Sequence, residues 1–276
     1  MEAKGAWRLA LPLALAQALF FLAPLLILAA TSFSTDENLA AASARAWAEV
    51  LGDSFNLRAV WNTLRLGGLT VIATMLLAVP LALLHLAAGP ALKRIILLAA
   101  VLPLLTSVVV RTFAWIAILG REGVINNALL ATGLVSAPVP LLQTEHGLII
   151  ALTQIEMPLM LLPLIAAMGR IDPALLDASA ALGASLARTL VRVVLPMALP
   201  GLLAGATLVF ASAATAFISQ SVIGGGRLAY LPALVWQQAM VVFDWPMAAA
   251  LALTLMGSVL IVVAALSALG RKAAHV

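Results

Sequence analysis

Glu156 stands in the middle of an apolar run, LIIALTQIEMPLMLLPLIAA, where a carboxylate has little water to solvate it. A charge at the centre of a bilayer costs about 3 kcal/mol on insertion scales unless it faces water, a partner or a proton. Glu156 is therefore expected to line a translocation path or a subunit contact, with an interhelical hydrogen bond as the alternative. Phe217, Ser219 and Gln220, at the end of another apolar stretch, are further candidates for that path. Residues suited to other chemistry are missing or scattered. The chain has no cysteine, which removes disulfides, thiolate metal sites and cysteine nucleophiles. His85, His146 and His275 are too far apart in sequence to suggest a metal cluster. No G-x-x-x-x-G-K-[ST] sequence occurs, so ATP is not held in a P-loop here. Neither an enzymatic activity nor a cofactor is expected on this chain.

A second group of residues lies in a polar interval between two apolar runs, from Gly169: GRIDPALLDASAALGASLARTLVRVVLPMALPG. Asp172 before Pro173 predicts an N-cap followed by an N1 proline, and Gly183 suits a left-handed helix stop. Ser185 can cap a second helix, on which Arg188 and Arg192 fall on one face four residues apart. Pro196 and Pro200 mark the start of the next span. Two short helices joined at a glycine, rich in small residues and carrying Asp177, suit docking into a groove of another protein.

The elements that carry these residues follow from composition. The chain of 276 residues is 64% hydrophobic and 9% charged, with a mean hydropathy of +1.15. Soluble domains are about 45–50% apolar and about 25% charged, so this chain belongs in lipid. A spanning helix needs about 20 apolar residues. Six stretches qualify, near 9–33, 61–86, 95–118, 147–168, 197–220 and 246–269. The first is too long for a secretory signal and reads as an uncleaved span. The expected fold is an all-α integral membrane protein with six transmembrane helices forming a single domain over 1–276. No strand pattern of a barrel is present.

Orientation follows from the loops. With the N-terminus inside, Lys4, Arg8, Lys93, Arg94, Arg170, Arg188, Arg192, Arg271 and Lys272 are cytoplasmic, nine basic residues against four outside (Arg45, Arg58, Arg121, Arg227). Seven acids, Asp36, Glu37, Glu49, Asp53, Glu122, Glu145 and Asp244, then lie outside. The positive-inside rule thus places both termini in the cytoplasm. Trp61, Trp115 and Trp245 fall at the outer interface and Trp7 at the inner one, in keeping with that topology. Outer loops near 34–60, 119–146 and 221–245 are long enough for short surface helices. Arg65 and Arg111, near outer span ends, are placed to snorkel to headgroups, and His85 to sit at the inner interface. Gly201 and Gly205 form a small-xxx-small pair for close helix packing, and Gly224 to Gly226 an outer turn. Basic residues do not cluster with aromatics, so nucleic acid is a poor partner.

The interval DASAALGASLARTLVRVVLP resembles the EAA loop of ABC importer permeases: E-A-A, three residues, G, nine residues, I, one residue, L-P. Asp177, Ala178, Gly183, Val193, Leu195 and Pro196 keep that spacing, with Asp for Glu, Ser179 for the second Ala and Val for Ile. Further stretches, RTFAWIAILGREGVINNALL and VIGGGRLAYLPALVWQQ with DWPMAAALAL, resemble the spermidine/putrescine-type permeases. An acid often found before the fifth-span phenylalanine of polyamine carriers is replaced here by Ala216, ahead of Phe217.

The resemblance implies a type I importer permease of the bacterial inner membrane, with 169–196 as the loop that couples to the ATPase. Asp172, Asp177, Ala178, Gly183, Arg188, Arg192, Leu195 and Pro196 are the implied coupling residues. The implied partners are a second permease, homologous to this one, two ATPase subunits that bind ATP and Mg, and an extracytoplasmic substrate-binding protein. The implied cargo is a polyamine or a related small amine, opine or amino-acid derivative. An ion-gradient-driven secondary carrier is the alternative; it accounts for the midspan acid but not for the EAA-like loop.

Overall fold

The computed structural model describes residues 3–35, 41–226 and 228–273. Asp36, Glu37, Arg227 and His275 lie outside the described residues, as do the side chains of Lys4, Trp7, Arg8, Arg271 and Lys272. Among the described residues the chain is helical, with one isolated antiparallel bridge between Ser34 and Ala42 and no strand.

Five helices are long and apolar enough to cross a membrane, or six if one bent pair counts as a span. They are α1 (Ala3–Ser32), α3 (Ser54–Ala87), α7 (Glu145–Met168), α10 (Leu195–Ala214) with the turns before it, and α13 (Trp245–Ala273). The bent pair is Pro90–Leu105, which is α4 (Pro90–Val101) and the turn after it, with Val108–Ala131, which begins with α5 (Val108–Leu119). Short helices occupy the intervening segments: α2 (Arg45–Gly52), α6 (Val124–Ala131), α8 (Pro173–Ala181), α9 (Leu186–Thr189), α11 (Phe217–Val222) and α12 (Leu231–Gln237).

Two expected spans depart from simple rods. The stretch at 95–118 is not one helix: α4 tightens into a 3₁₀ turn at Leu102–Leu105, the backbone extends at Thr106 and Ser107, and the segment Val108–Ala131, beginning with α5, leaves at 106° to Pro90–Leu105. Pro103 supplies no amide hydrogen, and the Thr106 hydroxyl donates to the Pro103 carbonyl at 2.7 Å, holding the chain out of helix. The stretch at 197–220 also breaks, since α10 stops at Ala214 and α11 begins at Phe217 after a bend at Thr215 and Ala216. At its other end, by contrast, Pro196 and Pro200 do not interrupt the helix. A π turn at Leu190–Val194 joins α9 to α10, and the Leu195 amide donates to Leu190, five residues back. A proline ring clashes with the carbonyl four residues earlier, and the wider turn immediately before Pro196 accommodates it.

The chain forms two compact units, residues 1–60 with 231–257 and residues 61–230 with 258–276. In the first, Arg45 pairs with Glu49 at 3.0 Å and with Asp244 at 2.7 Å, and the Trp47 indole donates to Ser32 at 3.2 Å. In the second, α7 and α10 lie against each other around Met160, Leu161, Leu164, Ala198, Ala206 and Val209. Lipid gives helices no hydrophobic drive to associate, so close approach at small residues decides where they meet. A methyl group on Gly201 would strike Ala167, and one on Gly205 would come within 3.0 Å of the Met160 backbone. A second cluster gathers Leu66, Leu119, Leu148, Leu152, Ile223 and Tyr230.

Candidate functional site

Both helix breaks flank one cavity. It measures about 540 Å³ and is lined by Leu104, Val108 and Arg111 beside the first break, and by Ile155, Glu156 and Leu159 of α7. Ser212, Thr215, Ala216, Phe217, Ile218 and Ser219, around the second break, complete it. Irregular backbone at membrane depth leaves amide and carbonyl groups without helical partners, and it is tolerated where it is buried in protein or borders a water-filled space. The breaks and the cavity therefore belong together, in a volume typical of small-molecule sites.

Glu156 is only 4% exposed, and Ser212 is hydrogen-bonded to its carboxyl. Arg111, one turn into α5, donates from Nη1 to the Ile155 carbonyl at 3.2 Å, while its buried Nε has no hydrogen-bond partner. Arg111 thus turns into the cavity instead of snorkelling to headgroups. Arg65 does not snorkel either: it pairs with Glu145 at 2.7 Å. Near that pair Tyr230 is buried, and burial, then the Glu145 charge, push its phenol well above the usual range, with Arg65 acting in the opposite sense.

Of the path candidates, Glu156, Phe217 and Ser219 come together in the cavity, where Ser219 shares a 3.1 Å hydrogen bond with Thr112. Gln220 is not among the lining residues. Its Nε2 donates to the carbonyls of Ala213 and Ala214, at 3.0 and 3.2 Å, and so closes the end of α10. The sequence alone does not assign Ser212 or Arg111 to the path. An arginine and a serine in apolar stretches were visible, but their facing depends on the two breaks, which nothing short of tertiary packing reveals.

The 169–196 interval forms a helical hairpin. The Asp172 carboxylate accepts from the Ala174 amide at 2.9 Å and Pro173 opens α8. Gly183, at φ +74°, ends it: the Gly183 amide donates to Ala180 at 2.9 Å and the Ala184 amide to Ser179 at 3.1 Å, a Schellman stop. Ser185 caps α9 through the Arg188 amide at 3.4 Å. Ser179, the departure from the EAA pattern, shares a 2.7 Å hydrogen bond with the buried Thr189 and ties the two arms together. Asp172, Asp177, Ala178, Gly183, Arg188, Arg192 and Pro196 are exposed and Leu195 is half-buried. The apolar tip was not foreseen: Leu182 is 88% exposed and Leu186 76%. Leucines on both sides of Gly183, in an interval otherwise polar enough to be solvated, were the available signal.

No group of three or more metal-ligating side chains occurs among the described residues. A multi-pass helical membrane protein with a cavity between broken spans and an exposed helical hairpin has the architecture of a solute permease. The spermidine/putrescine transport system permease protein PotB of Haemophilus influenzae is 30% identical over 239 residues, covering 86% of this chain and 84% of its own length. The inner membrane ABC transporter permease protein YdcU of Escherichia coli is 31% identical over 220 residues, covering 72% and 70%. No protein-family model matches the chain. Among solved structures, a chain of a bacterial ABC transporter involved in the import of the acidic polysaccharide alginate aligns with TM-score 0.78 over 97% of this chain and 95% of its own, at 18% identity. The chain belongs to the family of ABC transporter permease subunits that includes PotB.

Proposed function

We propose that this chain forms half of the translocation path of an ABC importer of the bacterial inner membrane. It pairs with a second, homologous permease, receives a small amine, a polyamine or a relative of one, from an extracytoplasmic binding protein, and takes its energy from two ATPase subunits that hold ATP and Mg. Both termini face the cytoplasm, as the nine-to-four distribution of basic residues supports. The lipid bilayer is its solvent.

The observation that carries the reading is the hairpin at 169–196. Its capped arms and Schellman stop give it a defined shape without a core of its own, since α8 buries none of its residues. Leu182 and Leu186 at its tip meet water at a hydrophobic cost unless another protein covers them. Asp177, Arg188 and Arg192, which form no ion pair among the described residues, can set its orientation in a groove. Asp172, Ala178, Leu195 and Pro196 maintain the hairpin and its join to α10. Glu156, Phe217 and Ser219 border the path, and Gln220 holds the break beside it.

Asp177→Arg or Gly183→Pro is expected to leave membrane insertion intact while separating ATP hydrolysis from uptake. The measurement is ATP-driven uptake in proteoliposomes alongside ATPase activity of the same preparation. Uptake at the parental rate in either variant would remove the hairpin from coupling.

A further inference from the structure

The cavity between the broken spans is lined by two groups of opposite charge that form no ion pair with each other, although the Arg111 charge acts on the Glu156 carboxyl. Arg111 and Glu156 both line it, yet the ion pairs among the described residues are Arg45 with Glu49, Arg45 with Asp244 and Arg65 with Glu145. Opposite charges in a low-dielectric space attract strongly and ordinarily close onto one another. Here each is held back by the scaffold. Ser212 engages the Glu156 carboxyl, and the Ile155 carbonyl takes one Arg111 nitrogen. Arg111 Nε is buried and has no hydrogen-bond partner. Between and around them the wall is apolar: Leu104, Val108, Leu159 and Phe217.

We propose that this cavity is a transit site for a small zwitterion, whose ammonium group is received by Glu156 and whose anionic group is received by the Arg111 guanidinium. A short apolar spacer between the two groups lies against Leu159 and Phe217. The inference rests on the reading of the chain as a permease for small amines and narrows its cargo. A polycation gains one carboxylate here but meets a guanidinium fixed in the same space, and no second acid lines the wall to offset it. A zwitterion satisfies both charges at once, so the cost of taking each of its charged groups out of water is offset by a partner at that end. The guanidinium suits a carboxylate or phosphonate equally, because its donors match either oxygen pair.

The test uses the assembled permease and ATPase complex in detergent, without nucleotide and without binding protein, so that the membrane site alone is read. Binding of 4-aminobutyrate, spermidine and butyrate is measured by titration calorimetry. The expected order is 4-aminobutyrate first, with spermidine and butyrate each at least tenfold weaker. Arg111→Gln is expected to weaken 4-aminobutyrate at least tenfold without weakening spermidine, and Arg111→Lys, which keeps the charge but not the paired donors, to weaken it by a smaller factor. Spermidine as the tightest ligand of the parent complex, no binding of any of the three, or an unchanged 4-aminobutyrate affinity in an assembled Arg111→Gln complex would overturn the proposal. The ligand order in the parent complex needs no variant and stands even if Arg111→Gln fails to assemble. ATP-driven uptake by the complete parental system is measured separately, so a failed cargo assignment is distinguishable from a failed permease reading.

Discussion

The hairpin at 169–196 and the cavity beside Glu156 reverse the ordinary placing of residues in opposite senses. In the hairpin, leucines stand in the open at positions 182 and 186; in the cavity, a carboxylate and part of a guanidinium are hidden from solvent. Each arrangement is costly for the chain alone, and each cost would be relieved by a different kind of partner. Exposed apolar side chains on a rigid, capped scaffold are relieved by a protein groove. Buried charges at the edge of a space are relieved by a polar solute or water. The two regions also differ in what holds them. Short-range hydrogen bonds shape the hairpin, so its surface residues can be changed without unfolding it. Packing of α5, α7, α10 and α11 shapes the cavity, so changes there act on stability and function together.

The sharpest way to break this comparison is to charge the hairpin tip. Leu182→Asp with Leu186→Asp should abolish ATP-driven uptake, reducing it by about a hundredfold or more, and should prevent copurification of the ATPase. Because both side chains are exposed, the thermal unfolding of the permease itself should move little, as surface changes stay within about 0.5 kcal/mol. Retained ATPase copurification would show that the leucines are not a docking surface. Next comes Gly205→Leu, which forces a branched side chain against the Met160 backbone. Overpacking of this kind costs about 1–3 kcal/mol, and a lowered melting temperature of the purified permease checks it. An unchanged melting temperature would mean that α7 and α10 can separate freely.

Glu156→Gln keeps shape and hydrogen bonding but removes the charge. Uptake of an amine cargo is expected to fall about tenfold, equivalent to about 1.4 kcal/mol, while ATPase copurification persists. Unimpaired uptake would take Glu156 out of the path and leave it as a helix-packing group. The smallest effect is expected from Asp172→Ala, which deletes the N-cap of α8. A lost cap costs about 1 kcal/mol, and because α8 buries none of its residues and meets the core through half-buried Leu176, the loss should appear mainly as weakened coupling with little change in global stability. A large drop in global stability instead would show that the hairpin is not an independent element.

The same difference in what holds each region decides how much of it could be read from sequence. The caps at Asp172 and Ser185 and the stop at Gly183 depend on residues within four positions, so the order of amino acids determines them. Spanning helices are legible from apolar length alone, which fails only where a span breaks. The break after Leu105 had a local sign in Pro103, Thr106 and Ser107, whereas the break at Thr215 and Ala216 has neither proline nor glycine. It is held instead by Gln220, whose amide reaches back to Ala213 and Ala214. The orientation of Arg111 is hidden from the sequence for the same reason. Its position on a supposedly straight third span pointed it toward headgroups, and the 106° bend re-aims it toward the Ile155 carbonyl.

The π turn at Leu190–Val194 has a mechanical meaning. By carrying the helix past Pro196, it makes Leu186–Ala214 one continuous strut of 29 residues. At 1.5 Å per residue such a strut is about 40 Å long. One end carries Leu186, at the hairpin tip, and the other carries Ser212, hydrogen-bonded to Glu156. A helix resists compression along its axis through its ladder of hydrogen bonds, so a thrust on the tip would reach the cavity as displacement, less what the wide turn at Leu190–Val194 absorbs. No relay of side chains is required. The wide turn is the softest point of the strut, so substitutions within 190–194 should alter how much of the stroke arrives while leaving both ends chemically intact.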